Sequence, residues 1–356
     1  MNKLKHFIKH STLLWKNIWV LPKVLSGYFK TLILRKTVLR TVEFTITPDC
    51  NVECEMCYAT KIKDSKRKLL TPDDYSRIWK EAKKLGAFSA IISGGEPTIR
   101  KDILEVLDAI EAKRTLVALV SNSTLLTADY IDKLQERGVN TLHLSLNSTD
   151  QVINDKIRDH DGHFHRVLDL CKIAKEKDFE VCISTVISHN KLDEMVSMVE
   201  FATKNDLNIV FSLACPTGNW EGEKEELLTP DEWKTVDAYM KSNPQVRSDW
   251  TINLSLKTEC PAGREKLCIS PYGDVMGCGM NFVSHGNVMD EPLKDIWERT
   301  CEFPPFKKRS EKCLIALDED FLEDYMFPLV DFDVLPVPKE KFPATARQQD
   351  KEKMNE

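Results

Sequence analysis

The first 40 residues contain no aspartate or glutamate, although the 356-residue chain carries 56 acidic side chains. The same stretch holds nine basic residues: Lys3, Lys5, Lys9, Lys16, Lys23, Lys30, Arg35, Lys36 and Arg40. The remainder is therefore acidic, with 41 basic against 56 acidic groups. A basic arm on an acidic body points to an anionic surface as partner, because clustered like charge on an extension finds its counter-charge outside the chain. Also missing is any charge-free apolar run near the ~18 residues of a spanning helix, which excludes a helical integral membrane protein. A signal peptide is disfavoured too, since Lys16 and Lys23 interrupt the apolar stretch and no small-residue cleavage site follows. Apolar material is not scarce. Hydrophobic residues make up 42% and charged residues 30%, which excludes disorder throughout, and the length fits two domains or one large domain with an appendage.

The arm has a helical repeat. Leu4, Phe7, Ile8, Ser11, Leu14, Trp15, Ile18 and Trp19 share one face, with Lys5, Lys9, Thr12 and Lys16 on another, until Pro22 breaks the run. Val24, Leu25, Tyr28, Phe29, Leu32 and Leu34 form a second apolar group. The pattern fits a helix lying in a bilayer interface, and equally a helix docked on its own domain.

From Thr41 the chain alternates. Strands are expected at 41–47, 88–93, 115–121, 140–147, 180–187 and 208–213. Helices are expected near 72–86, 101–112, 127–137, 163–177 and 191–204, with Thr71-Pro72-Asp73 and Thr127-Ala128-Asp129 as N-terminal caps. Strands separated by helices specify an α/β fold with a parallel sheet and active residues at the strand C-terminal ends. After Cys215 the alternation stops. Residues 216–259 read as a linker with one helix near 230–241; 260–330 read as a second, cysteine-bearing unit with a hairpin at Ser270-Pro271-Tyr272-Gly273-Asp274; 331–356 read as a mobile tail.

Eleven cysteines raise the question of bridges or ligands. Cys50, Cys54 and Cys57 stand too close for mutual disulfides in a domain with ample core, so they read as metal or redox ligands in a reducing cytosol. They follow the first strand, where a loop can gather three thiolates. Structural zinc asks for four protein ligands, whereas a 4Fe-4S cube held by three leaves one iron open.

The spacing Cys50-x3-Cys54-x2-Cys57, with Met56 and Tyr58 flanking the last cysteine, resembles the motif of the radical S-adenosylmethionine (radical SAM) enzymes. Ser93-Gly94-Gly95-Glu96-Pro97 follows the second strand, where that family carries its GGEP loop. Its glycines let the backbone approach a small ligand, and main-chain carbonyls with Glu96 suit the methionine ammonium of SAM. Ser121-Asn122 resembles the family's segment after the third strand, and Ser145-Leu146-Asn147 the polar residues set against the SAM ribose and carboxylate. Asn147 departs from the acidic residue common there. Asn154-Asp155-Lys156-Ile157-Arg158 makes Arg158 a candidate carboxylate partner, and Leu213-Ala214 a backbone contact to adenine. The resemblance covers 41–215 and implies a partial (β/α)6 TIM-like barrel, with a small C-terminal cluster-binding extension. It also implies a 4Fe-4S cluster, SAM as cofactor and a low-potential donor such as flavodoxin or ferredoxin.

Cys260, the segment 269–275, Cys278 and the segment 286–297 resemble the SPASM or shorter twitch domain of the same family, which binds auxiliary 4Fe-4S clusters. The usual late run of cysteines is reduced to Cys313, leaving room for one auxiliary cluster. Its fourth ligand is open between Cys268, Cys301, a non-cysteine side chain and substrate. Zinc is the competing occupant. Cys171 and Cys182 read as small core residues, and Cys215, at the barrel mouth, as a candidate hydrogen-atom or thiolate donor.

The leading expectation is a radical SAM enzyme of the cytoplasm, peripheral on the membrane inner face, that generates a 5'-deoxyadenosyl radical and abstracts hydrogen from a lipid or lipid-linked substrate. Peptide maturation is the alternative; the ~40 residues before the first strand are short for a leader-binding winged helix. A zinc-binding regulator is the reading from another class. Nucleic acid is disfavoured as a partner by the acidic body.

Overall fold

In a computed structural model, residues 17–243, 245–248 and 259–342 are described. The Leu4 to Trp15 repeat and the chain end beyond 342 lie outside the described residues. Nine helices of seven or more residues follow in order: α1 (Leu21–Tyr28), α2 (Pro72–Leu85), α3 (Ile103–Ala109), α4 (Ala128–Arg137), α5 (Gln151–Arg158), α6 (His163–Glu176), α7 (Leu192–Lys204), α8 (Pro230–Ser242) and α9 (Leu293–Glu302). The expected caps form. Thr71 accepts from the Asp74 backbone in a full capping box, and Thr127 accepts from Tyr130. Gly86 and Gly138 end α2 and α4 in the left-handed conformation that suits glycine.

Six strands stand where the pattern placed them: β1 (Thr41–Thr45), β2 (Ser89–Ser93), β3 (Leu116–Ser121), β4 (Thr141–Ser145), β5 (Glu180–Ile187) and β6 (Asn208–Leu213). Each pairs with the next in parallel, with α2 to α7 in the crossovers. Alternate residues separate two environments. Phe44, Leu119, Leu142, Ile183 and Phe211 are buried with helix residues such as Trp79, Leu134 and Met195 in one core. Phe44 meets the rings of Tyr75 and Trp79 edge-on at 5.4 and 6.3 Å. Burying side chains of this size stabilises the fold by about 1.5–3 kcal/mol each. The opposite face carries Val120, His143, Ser145, Ser184, Val210 and Ser212, all half-exposed, so the barrel interior is open.

The sheet continues at both ends. β7 (Val246–Ser248) joins β6 in parallel, so part of the segment expected as a linker is an edge strand. On the other side β8 (Lys266–Ile269) joins β1 in parallel, β9 (Asp274–Met276) and β10 (Val283–Asn287) follow antiparallel, and β11 (Val337–Pro338) lies parallel to β10. The eleven strands form one sheet whose edges β7 and β11 do not meet, a partial and unclosed barrel. β8 and β9 are the expected hairpin, held by the Ser270 hydroxyl, which accepts from the Tyr272 and Asp274 amides.

Residues 331–342 are not a mobile tail. Leu335 and Val337 are buried and donate to the carbonyls of Lys61 and Phe282. Their apolar side chains supply the reason, which charge and proline content had masked.

The segment that carries α1 packs at the N-terminal ends of the strands: Asn140, just before β4, donates to Asn17. Val20 and Gly27 are buried there, whereas Ile18, Leu21, Leu25, Phe29, Leu32, Ile33 and Leu34 are exposed. Pro22 sits in the first turn of α1, where its missing N–H costs nothing.

Candidate functional site

The cysteine loop leaves β1 at the C-terminal end of the sheet. Glu55 N donates to the Ile157 carbonyl, and Cys54 Sγ lies 3.8 Å from the Arg158 carbonyl, so the end of α5 supports one side. Asn219 supports the other, donating from its backbone to Cys57 O at 2.8 Å and from its side chain to Cys54 O at 2.8 Å. Gly218, at φ +64°, has no room for a Cβ, which would collide with the Cys57 carbonyl. Asn122 Nδ2 donates to Cys50 Sγ at 3.6 Å and to Asn51 Oδ1 at 3.0 Å. Burial pushes the Cys54 and Cys57 thiols up; Arg158 opposes this at Cys54 and the Ala59 amide at Cys57. Protonated and shielded, they are poor free nucleophiles, but a bound metal cation deprotonates such thiols outright.

The glycine turn faces this loop. Gly95 N donates to Thr47 O at 2.9 Å and Glu96 N to Asp49 O at 2.8 Å, extending the β1–β2 ladder past the strand ends. A Cβ on Gly94 would stand 2.5 Å from Thr47 O, and one on Gly95 would collide with Asp49 O. The close approach that these glycines permit is thus to the cysteine loop's backbone. Glu96 follows the two glycines directly. It is fully buried, and its carboxylate accepts from Thr98 N at 3.1 Å, Thr98 Oγ1 at 2.5 Å, Ser121 Oγ at 3.0 Å and Asn122 N at 2.6 Å. Three of these donors fall on Oε1 and one on Oε2, so Glu96 braces the β2 exit to the β3 exit while Oε2 keeps acceptor capacity. Pro97, also buried, opens the short turn Pro97–Ile99.

A second brace crosses the site. The buried His163 donates from Nε2 to the Asn122 carbonyl at 2.9 Å and accepts at Nδ1 from Asn154 at 3.1 Å, a tautomer fixed by these partners. Burial and the Arg158 charge hold its pKa down at about 4, so the ring is neutral. Asn154 Oδ1 accepts from Asn147 N at 3.0 Å, and Asn147 Oδ1 accepts from Arg158 Nη1 at 3.3 Å. Arg158 is 8% exposed and its Nε has no partner. It is no surface ion pair. Its Nη1 lies 4.0 Å from the Met56 sulfur. Beside it opens a cavity lined by Met56, Asn147, Thr185, Ser188, Lys191 and Trp220, where the buried Thr185 hydroxyl is also unpartnered.

The remaining predicted residues divide. Ser145 faces the open interior, paired in register with Ser184. Tyr58 stacks on Phe282 at 6.3 Å, and Leu213 is buried at the end of β6, in register with Ile187. Cys268 is fully buried in β8, 3.6 Å from the Thr45 hydroxyl, which makes it a packed residue. Cys215 is buried between the Thr217 hydroxyl at 3.2 Å and the Met280 sulfur at 3.8 Å, and burial raises its thiol to about 11. That is a protonated thiol. Among the C-terminal cysteines, Cys278 feels Cys260, and Cys313 feels both; burial raises Cys278 to about 12 and also pushes Cys313 well up. A buried pair that sequence reading missed, Glu43 and Lys266 at 3.0 Å, lies close enough to Cys278 for its thiol to feel both charges, with Ser93 donating to Glu43.

Residues 44–202 match the radical SAM superfamily, and residues 260–315 match SPASM, an iron-sulfur cluster-binding domain. The chain belongs to the radical SAM superfamily. This radical SAM chain is 26% identical over 310 residues to an AdoMet-dependent heme synthase of Methanosarcina barkeri, covering 78% of this chain and 88% of that one. It is 22% identical over 282 residues to a PqqA peptide cyclase of Bradyrhizobium diazoefficiens, covering 74% and 73%. Its fold is that of Streptococcus suis SuiB, solved with precursor peptide SuiA, at a TM-score of 0.62, 19% identity and coverage of 90% and 79%.

The protein is a radical SAM enzyme, and its cofactors are a 4Fe-4S cluster, SAM and auxiliary iron-sulfur. Among the described residues, no three His, Cys, Asp or Glu side chains already converge to metal-ligand spacing. The fit lies in donor chemistry: soft thiols on pinned loops, with the Asn122 amide on Cys50 and the Ala59 amide on Cys57. Sequence reading missed His163, Gly218 and Asn219. His163 follows Gly162 and Asn219 follows Gly218, and each glycine has positive φ. A glycine beside a polar residue in a loop was the available signal.

Proposed function

We propose that this radical SAM enzyme reductively cleaves SAM at the Cys50, Cys54 and Cys57 site, giving a 5'-deoxyadenosyl radical that removes a hydrogen atom from a substrate in the barrel interior. The observation that carries the reading is the convergence of the cysteine loop, the glycine turn, Asn122 and Arg158 at one end of the sheet. Arg158, with its buried Nε unpartnered and its Nη1 near the Met56 sulfur, is suited to a carboxylate such as that of SAM's methionine moiety. Asn122 orients Cys50, and Glu96 and His163 hold Asn122. The segment from Cys215 to Trp220 covers Cys57 and keeps bulk water from that side. Flavodoxin or ferredoxin would serve as reductant.

The substrate reading follows from the interior. Ser145, Ser184, Ser212 and His143 on its walls suit a polar substrate better than an acyl chain. Similarity to a peptide cyclase supports a peptide, and similarity to a heme synthase a tetrapyrrole; the shared framework serves both. Anaerobic incubation of reconstituted protein with SAM and a reductant should release 5'-deoxyadenosine. Zinc without sulfide in the purified protein, or no cleavage after full iron loading, would refute the reading.

A second reading concerns location. Seven of the fourteen large hydrophobic side chains exposed among the described residues lie between Ile18 and Leu34, in a stretch with basic and no acidic residues. This favours attachment to an anionic bilayer. Because the stretch packs opposite the site, attachment would present the site to the aqueous side, which lowers the case for a lipid substrate. Phosphatidylserine vesicles should carry the full chain upward in flotation, and Leu25→Glu with Phe29→Glu should reduce the floated fraction several-fold. Equal flotation of both proteins would remove the reading.

A further inference from the structure

The cysteines of the C-terminal half sort by what their sulfurs touch. Cys278 and Cys313 each accept a backbone N–H from two residues on, Met280 and Ile315 respectively, as Cys57 does from Ala59 in the barrel loop. Amide donors of this kind favour a thiolate and tune iron-sulfur ligands. Cys268 and Cys301 differ. The first is packed against Thr45 within β8, and the second donates to the Gly263 carbonyl at 3.6 Å.

Cys215 has a side-chain hydroxyl in place of such an amide, and it adjoins the same group of residues. It is 6% exposed, its sulfur lies 3.2 Å from the hydroxyl of Thr217, again two residues on, and it lies 3.8 Å from the sulfur of Met280. Met280 is the residue whose amide sits on Cys278. Cys260, Cys278 and Cys313 supply three thiolates to a cube that has four iron corners. The geometry points to Cys215 as the fourth protein ligand of the auxiliary cluster, tying the exit of β6 to the C-terminal domain. In support, Cys313 feels the charge of Cys215 together with those of Cys260 and Cys278.

This assignment rests on the auxiliary cluster itself and has a functional consequence. A cube with four cysteine ligands has no open iron, so it can exchange electrons but cannot bind substrate. Cys215 is then a ligand and not a hydrogen-atom donor. It also joins the auxiliary site to the segment that covers Cys57, since Gly218 and Asn219 follow it directly.

The test uses the full chain with Cys50, Cys54 and Cys57 all changed to alanine, so that bound iron reports the auxiliary site alone. In that background, Cys215→Ala should lower the iron content and give the electron paramagnetic resonance signal of a three-iron centre. Cys215→Ser should keep four irons with an altered signal and a shifted midpoint potential. Cys268→Ala and Cys301→Ala should match the background. A Cys215→Ala protein with unchanged iron and signal overturns the assignment; if that variant does not fold, an unchanged signal in Cys215→Ser does so. A background protein without iron instead overturns the auxiliary-cluster reading, and is recognised because every variant is then equally empty.

Discussion

Alanine at Cys54 is expected to lower SAM cleavage by on the order of a thousandfold or more while shifting the melting temperature by only a few degrees. The two expectations have separate physical origins. Cys54 is the most buried of the three loop thiols, and its sulfur contacts the Arg158 carbonyl at a distance that contributes little binding energy. Deleting one sulfur from a buried site costs about 1 kcal/mol, because the cavity is small. The loop backbone keeps its other supports, since Asn219 still holds Cys54 O and Cys57 O, and Ile157 O still accepts from Glu55. On the proposed ligand set, what is lost is one of three protein ligands, and a cube held by two is not retained. Iron analysis, deoxyadenosine release and a thermal melt on the same sample check the prediction. Retained cleavage would remove Cys54 from the ligand set. A collapse of the melting transition would make its role structural.

The parallel barrel and its strand positions were legible because outward-facing apolar residues alternate regularly and the helices carry strong caps at Thr71 and Thr127. The cysteine loop was legible because spacing alone sets which thiols share a loop. The role of Glu96 was not. How its carboxylate is braced depends on where Ser121 and Thr98 come to rest, which the motif does not encode. β7 and β11 were missed for a related reason: strands of two or three residues are defined by the edge they add to and carry too few residues for a period. Arg158 lay between the two cases. Its residue type suited an anion, but only the fold shows it buried beside Asn147 with one donor spare. Local pattern therefore reached the elements and the ligands, whereas the braces that hold ligands in place needed tertiary neighbours.

Those braces give the site a pH limit. His163 must be neutral, because its Nδ1 accepts from Asn154 while Nε2 donates to Asn122. Protonation would turn Nδ1 into a second donor facing an amide donor, with Arg158 close enough to add repulsion. The folded-state pKa of about 4 lies below the unfolded value of 6.5, so the unfolded chain binds the proton first as pH falls. Stability is thus complete above the unfolded pKa and declines between 6.5 and 4. At pH 5 about one and a half units of that gap are spent, a loss of about 2 kcal/mol relative to pH 7. His285, buried against Phe303 with a pKa near 3, adds a decline of the same sign from a place remote from this brace. Glutamine at position 163 can offer a carbonyl to Asn154 and an amide to Asn122 without titrating. Urea unfolding of the reconstituted protein at pH 7 and pH 5 should therefore show His163→Gln losing about 2 kcal/mol less than the parent, with the His285 share unchanged. Cleavage of SAM by the parent should fall over the same window and hold further into acid in the variant, because Asn122 and Arg158 keep their supports. An identical loss of stability in both proteins would mean that His163 is not the neutral link between the Cys50 side of the site and the Arg158 side.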